Sequence, residues 1–173
     1  MFGVSRRRRE PKRREGDRMS IRPVTPGDLQ ALKALYEQQE AWTWCGDDLS
    51  ETGPNALPPE ALAFVDVENG EILAYTPFRL GGTFGYSSCV TRLVVHKEAR
   101  GRGVERRILE FVEEIALARD QDLFLLCRSD NPEARRFCEE MGYEACGELE
   151  AYPGPGVAQV IYRKRALKCS LGA

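Results

Sequence analysis

Apolar and polar positions follow two rhythms along this chain, and the changes of rhythm mark its elements. Ile21 to Val24 is a short strand. Thr25-Pro26-Gly27-Asp28 then reads as a helix start, with an N-cap, a proline at the first helical position and an acidic first turn. Leu29, Leu32, Leu35 and Tyr36 follow at helical spacing. Residues 43–59 hold Gly46, Gly53, Pro54, Pro58 and Pro59, and predict an irregular loop with at most a short helix. Ala61 to Val67 and Ile72 to Phe78 flank Asn69-Gly70, a hairpin dipeptide. Gly81-Gly82 predicts the next turn, and Tyr86 to Val95 one further strand. A long helix is predicted from about Gly103 to Arg119, with Val104, Ile108, Val112 and Ile115 on one face. Leu123 to Cys127 is a continuous apolar run that suits a buried central strand. Asn131-Pro132 opens another helix, with Ala134, Phe137, Cys138 and Met141 inward and Gly142 as its C-cap. Tyr143 to Leu149 and Val157 to Arg163 close the chain as strands.

The order β-α-(α)-β-β-β-α-β-α-β-β has no internal repeat and predicts an α/β protein, a mixed sheet with helices on both faces. At 173 residues, with 42% apolar and 30% charged side chains, the chain makes one globular domain. No apolar run approaches the ~18 residues of a membrane span, and the start shows no secretory h-region. A cytoplasmic protein without a membrane partner is the expectation.

Charge divides the chain. Residues 1–18 hold eight Arg or Lys against three Asp or Glu, and the remainder seventeen against twenty-four. A basic arm of net +5 therefore precedes an acidic body of net −7. The arm lacks the apolar content to stay ordered, so 1–18 reads as a disordered tail or as sequence upstream of a start at Met19. Arg6 to Arg9 offer the only contact to nucleic acid that the sequence suggests. Residues 19–166 form the domain and 167–173 a short C-terminal tail.

Six cysteines, at 45, 89, 127, 138, 146 and 169, include no CxxC pair. That argues against a zinc ribbon and a disulfide scaffold. His96 is the only histidine, so a His-rich metal centre is excluded and no metal is expected.

The chemistry-bearing segment runs from Leu93 through Val94, Val95, Arg100, Gly101, Arg102, Gly103 and Val104 to Glu105. A strand end passes through a glycine-bearing turn into a helix start, whose N–H groups carry partial positive charge. Glycines there let backbone approach a phosphate, and Arg100, Arg102, Arg106 and Arg107 add charge. The segment is either an anion cradle or an ordinary turn with a solvated basic face. It lacks the G-x-x-x-x-G-K-[ST] loop and the third glycine of G-x-G-x-x-G.

Two motifs in order resemble those of the GCN5-related N-acetyltransferases (GNAT), over residues 20 to about 165. The first is R/Q-x-x-G-x-G/A, matched by Arg100, Gly103 and, at its last position, Glu105 in place of a small residue. The second is N-x-x-A-x-x-F-Y-x-x-x-G-F/Y, matched by Asn131, Ala134, Phe137, Gly142 and Tyr143, with Cys138 where tyrosine is usual. The resemblance implies a mostly antiparallel mixed sheet in which the strands ending near Val95 and Cys127 splay to admit the pantetheine arm of acetyl-CoA. It implies that backbone groups of Leu93, Val94 and Val95 pair with that arm, and that an N–H near Val94 or Val95 polarises the thioester. It also implies that the amides from Gly101 to Glu105, with Arg100 and Arg102, hold the diphosphate, and that Asn131 bonds the pantetheine. The implied activity is acetyl transfer from acetyl-CoA to a primary amine by direct attack. The alternative is a catalytically impaired acyl-CoA-binding or regulatory domain.

Cys138 is either a small apolar core residue of its helix or the group that would protonate the leaving thiolate, with Tyr86 or water as the other proton sources. Glu105 is an anion where the family keeps a small residue: either it points outward and complements the helix dipole, or it stands beside the diphosphate and Glu105→Gly tightens acetyl-CoA binding. No general base stands out, and His96 is either a turn residue or a candidate for that role. The acidic body, and Trp42 and Trp44 beside Asp47, Asp48 and Glu51, suit a cationic acceptor or, alternatively, solubility and core. A homodimer is left open.

Overall fold

The structure, a computed structural model, describes residues 20–38, 61–119, 121–152 and 154–166. The basic arm, the loop with both tryptophans and the C-terminal tail lie outside the described residues.

The strands are β1 (Ser20–Pro23), β2 (Ala61–Glu68), β3 (Glu71–Thr83), β4 (Ser87–Val90), β5 (Val94–Val95), β6 (Leu123–Arg128), β7 (Glu144–Leu149) and β8 (Gln159–Lys164). The helices are α1 (Leu29–Glu37), α2 (Val104–Leu117) and α3 (Pro132–Glu140). The strands form one 8-stranded sheet in the order β1-β2-β3-β4-β6-β8-β7, with β5 on β3. Only β4 and β6 run parallel. This is the mixed, mostly antiparallel sheet expected from the sequence.

Strand alternation sorts side chains to two faces. Leu123, Leu125 and Cys127 of β6 pack with Leu109 and Val112 of α2 and with Ala134 and Cys138 of α3. Leu32 and Leu35 of α1 cover Val65, Tyr75 and Val94 on the other face. The C-terminal end of α3 is fixed by Lys164, whose Nζ donates to Glu113 Oε2 at 2.7 Å and to Met141 O at 2.8 Å.

Three local expectations change. The Gly81-Gly82 pair lies inside β3 and not at its end; both have positive φ and produce a register slip between Arg79 and Thr83. The chain turns instead at residues 84–86. The start of α1 is a 3₁₀ turn, Pro26–Asp28, in place of α-helix, with Thr25 as N-cap, Pro26 in the first turn and Asp28 completing a capping box, as expected. Asp28 Oδ2 accepts from Thr25 N at 2.7 Å and Thr25 Oγ1 at 2.8 Å, while the Arg22 guanidinium donates to both carboxylate oxygens. The Arg22 hydrogen bonds hold Asp28 well below the usual carboxylate range.

The third change positions the site. The predicted strand from Tyr86 to Val95 is broken. Phe78 stands opposite Val90, but Tyr75 stands opposite Val94, so three steps on β3 match four on its partner. One extra residue is accommodated at Thr91–Leu93, a β-bulge. Pro77 has no N–H to continue the ladder. Its carbonyl accepts from Thr91 N at 3.2 Å and Thr91 Oγ1 at 3.1 Å, and Thr76 Oγ1 donates to Arg92 O at 2.8 Å.

Candidate active site

Past the bulge the two central strands part. The β4–β6 ladder ends at Val90 opposite Leu125, whereas β6 runs on to Arg128 and β5 is joined to β3. The slip also returns Leu93 and Val95 to the α2 side, where they pack with Val104 and Ile108. The result is a wedge open toward the starts of α2 and α3. A cavity of about 320 Å³ occupies this region. Val90, Leu93, Leu109 and Leu125 give it an apolar base, and Phe137 and Cys138 line it from α3. Arg100, Gly101, Gly103, Glu105 and Arg106 line its α2 end.

The turn before α2 is built on two glycines in the left-handed region, Gly101 at φ 70° and Gly103 at φ 81°. An ideal Cβ at either position meets nothing within 4 Å, so the hollow they border is open. Gly103 is the N-cap of α2 and supplies no side-chain cap. A seat for a diphosphate needs this combination: exposed helix-start amides, close backbone approach and nearby cations. The residues present fit that group, with one qualification in charge.

The arginines do not all serve the cradle. Arg102 donates to Glu68 at 2.8 Å. Arg107 lies three residues beyond Val104 and so shares the helix face turned to the sheet; its Nε donates to Asp66 Oδ2 at 2.6 Å, and Asp66 is fully buried. Arg100, Arg106 and Arg136 line the cavity beside Glu105, Glu133 and Glu140, three cations against three anions. Glu105 folds back over the turn, where its Oε1 accepts from Gly101 N at 3.3 Å.

Of the residues singled out from sequence, Leu93, Arg100, Gly101, Gly103, Glu105 and Cys138 meet at the cavity. Val104 is buried beneath it, and Val94 faces α1. Asn131 caps α3, its Oδ1 accepting from Ala134 N at 3.0 Å, and lines a shallow depression next door. Tyr86 lies in the β3–β4 turn, 69% exposed, and does not line the cavity. His96 faces a different groove, its Nδ1 accepting from Glu98 N at 3.3 Å. Arg136 and Phe137 were missed as wall residues. The inward face of α3, Phe137 included, was legible from helical spacing; that Arg136 beside it reaches the cavity was not.

Cys138 is buried and hydrogen-bonded to Cys127, an interaction that, with burial, pushes its thiol up. It therefore keeps its proton at neutral pH. Among the described residues no cluster of His, Cys, Asp and Glu could hold a metal, and no helix is long and apolar enough to cross a membrane.

A split mixed sheet over a glycine-built anion cradle defines a class, the acyltransferases that work on coenzyme A thioesters. The chain belongs to the acetyltransferase (GNAT) family, whose sequence profile matches residues 29–143. An acetyltransferase of Pectobacterium atrosepticum is 27% identical over 128 residues, 73% of this chain and 88% of that protein. The ribosomal-protein-S18-alanine N-acetyltransferase of Escherichia coli has the same fold, with TM-score 0.72 at 18% identity over 86% of this chain and 94% of that one. So does an aminoglycoside 6′-N-acetyltransferase complexed with coenzyme A, with TM-score 0.70 at 18% identity over 86% and 98%. The protein is an acyltransferase enzyme.

Proposed function

We propose that this enzyme transfers the acetyl group of acetyl-CoA to a primary amine of a small molecule or protein, by direct attack within a ternary complex. The observation that carries the reading is the parting of β5 from β6 above the apolar cavity base, which leads from the Gly101–Gly103 turn into the sheet.

Acetyl-CoA supplies the acyl carbon that the amine attacks and the thiolate that leaves. The chain's own groups do the rest. Backbone groups of Leu93, Val94 and Val95 hold the pantetheine arm along the wedge. An N–H at Val94 or Val95 donates to the thioester oxygen where negative charge develops, a contribution that is large in a water-poor site. The amides of the 101–105 turn, with Arg100, Arg106 and Arg136, hold the diphosphate. Asn131 keeps its oxygen on the α3 cap and offers its Nδ2 to the pantetheine.

The single S–H of Cys138 turns from Cys127 to donate a hydrogen bond to the departing sulfur. Its raised pKa makes full proton transfer unfavourable, so water completes the protonation. Cys138→Ala is therefore expected to lower kcat by about tenfold, short of the 10²–10⁴ that removal of a true general acid brings. Steady-state rates at saturating acetyl-CoA read this directly.

Two measurements test the function itself. Acetyl-CoA should raise the melting temperature, since a ligand that binds only the folded state stabilises it. Release of free CoA thiol should then depend on an amine drawn from a panel of small amines and peptide N-termini. No thermal shift and no amine-dependent thiol would end this reading.

A further inference from the structure

We propose that Glu105 is a built-in competitor of the coenzyme's diphosphate, a residue that sets the affinity of the enzyme for every ligand carrying that group. The inference rests on the acetyl-CoA reading above and concerns one side chain within it.

Three observations meet here. The Glu105 carboxylate already occupies the Gly101 N–H at 3.3 Å, the amide at the centre of the turn. The hollow around Gly101 and Gly103 is otherwise open to an incoming group. The cations that sequence places at the turn are partly committed elsewhere, Arg102 to Glu68 and Arg107 to Asp66. The cavity wall itself is balanced in charge, with Arg100, Arg106 and Arg136 against Glu105, Glu133 and Glu140.

A carboxylate is a passable substitute for a phosphate at a helix start, because both are anions that accept from backbone N–H groups. The free enzyme therefore satisfies the turn internally. A diphosphate must displace Glu105 from Gly101 and then tolerate a negative charge a few ångströms away. Both effects weaken binding of acetyl-CoA and of the product CoA alike. Neither acts on a ligand that ends at the pantetheine. A charge-balanced cleft also attracts a polyanion weakly at long range, so binding should respond little to ionic strength.

Calorimetric titration of the full chain tests this with acetyl-CoA, free CoA and S-acetylpantetheine as probes, each at low and high salt. Glu105→Gln keeps the side chain's size and removes its charge; Glu105→Gly removes the side chain. Glu114→Gln removes a charge further along α2, at an exposed position that does not line the cavity, and serves as the control. The expected result is binding of both CoA ligands about fivefold tighter in Glu105→Gln and about tenfold tighter in Glu105→Gly, the size of one ordinary net hydrogen bond lost to a competitor. Salt should weaken binding more steeply in both variants than in the wild type. S-acetylpantetheine should bind all four proteins equally, and Glu114→Gln should match the wild type throughout. Equal or weaker CoA binding in Glu105→Gln overturns the proposal, as does an equal gain for S-acetylpantetheine. Failure of the wild type and every variant to bind any of the three probes would overturn the acetyl-CoA reading with it. Melting curves of each variant without ligand separate misfolding from a change in affinity.

Discussion

The two helices whose N-terminal turns border the cleft begin in opposite ways. α3 starts on Asn131, whose side chain caps Ala134 N, with Pro132 at the first position where a missing N–H costs nothing. Its own sequence completes that end. α2 starts on Gly103, with no side-chain cap, and Glu105 in its first turn reaches back past the cap to Gly101 N. A helix start closed by its own residues is a structural joint. One left without a cap, on a turn of two left-handed glycines beside an open hollow, is where a ligand can complete the hydrogen bonds.

α2 gains from the outside the stability that α3 gains from its cap. Arg107 and Arg102 tie the start of α2 to Asp66 and Glu68 of β2. Asp66 is fully buried, and removing it strands the Arg107 guanidinium. Asp66→Ala is expected to cost about 3–5 kcal/mol of stability, measured by urea denaturation, because an unmatched charge is left partly buried. A loss under 1 kcal/mol would show that α2 does not depend on that tie.

The α3 end should respond less, and in a way that separates its two duties. Asn131→Ala should lower stability by about 1 kcal/mol through the lost cap. Asn131→Asp should restore stability, since aspartate caps as well, yet still bind acetyl-CoA less tightly because the Nδ2 donor is gone. Unchanged affinity in Asn131→Asp would confine that residue to the helix end.

The start of α1 gives the smallest effect and a pH signature. Asp28 there accepts from Thr25 and from Arg22, which depresses its pKa. A carboxyl lowered in the folded state adds stability above its unfolded pKa of ~3.9, and that stability is lost as pH falls below it. Asp28→Asn should lower Tm by about 2–4 °C at pH 7, as expected for the loss of roughly 1 kcal/mol. The gap to the wild type should hold from pH 7 to 5 and narrow below about pH 4. A gap that stays constant to pH 2 would mean that charge is not what Asp28 contributes.

Much of this protein was legible residue by residue, because its signals are local. Asn69-Gly70 turns a hairpin since both residues take positive φ, at 53° and 86°. Asn131-Pro132 starts a helix for reasons contained in three or four residues. The two glycines before α2 and the missing small residue at 105 could likewise be read in line, and they located the cavity's α2 end.

Tertiary structure alone decided the rest, because each remaining feature depends on a partner distant in sequence. The bulge at Thr91–Leu93 exists only relative to the register of β3, so a single apolar run from Tyr86 to Val95 could not reveal it. Gly81-Gly82 looked like a turn, but glycine permits a bulged strand as readily as a corner, and cross-strand pairing chose the strand. Arg102 and Arg107 looked like phosphate ligands until β2 brought Glu68 and Asp66 within reach. Local backbone preference can write an anion cradle into a sequence; which charges are left to fill it is settled by what the folded sheet places opposite them.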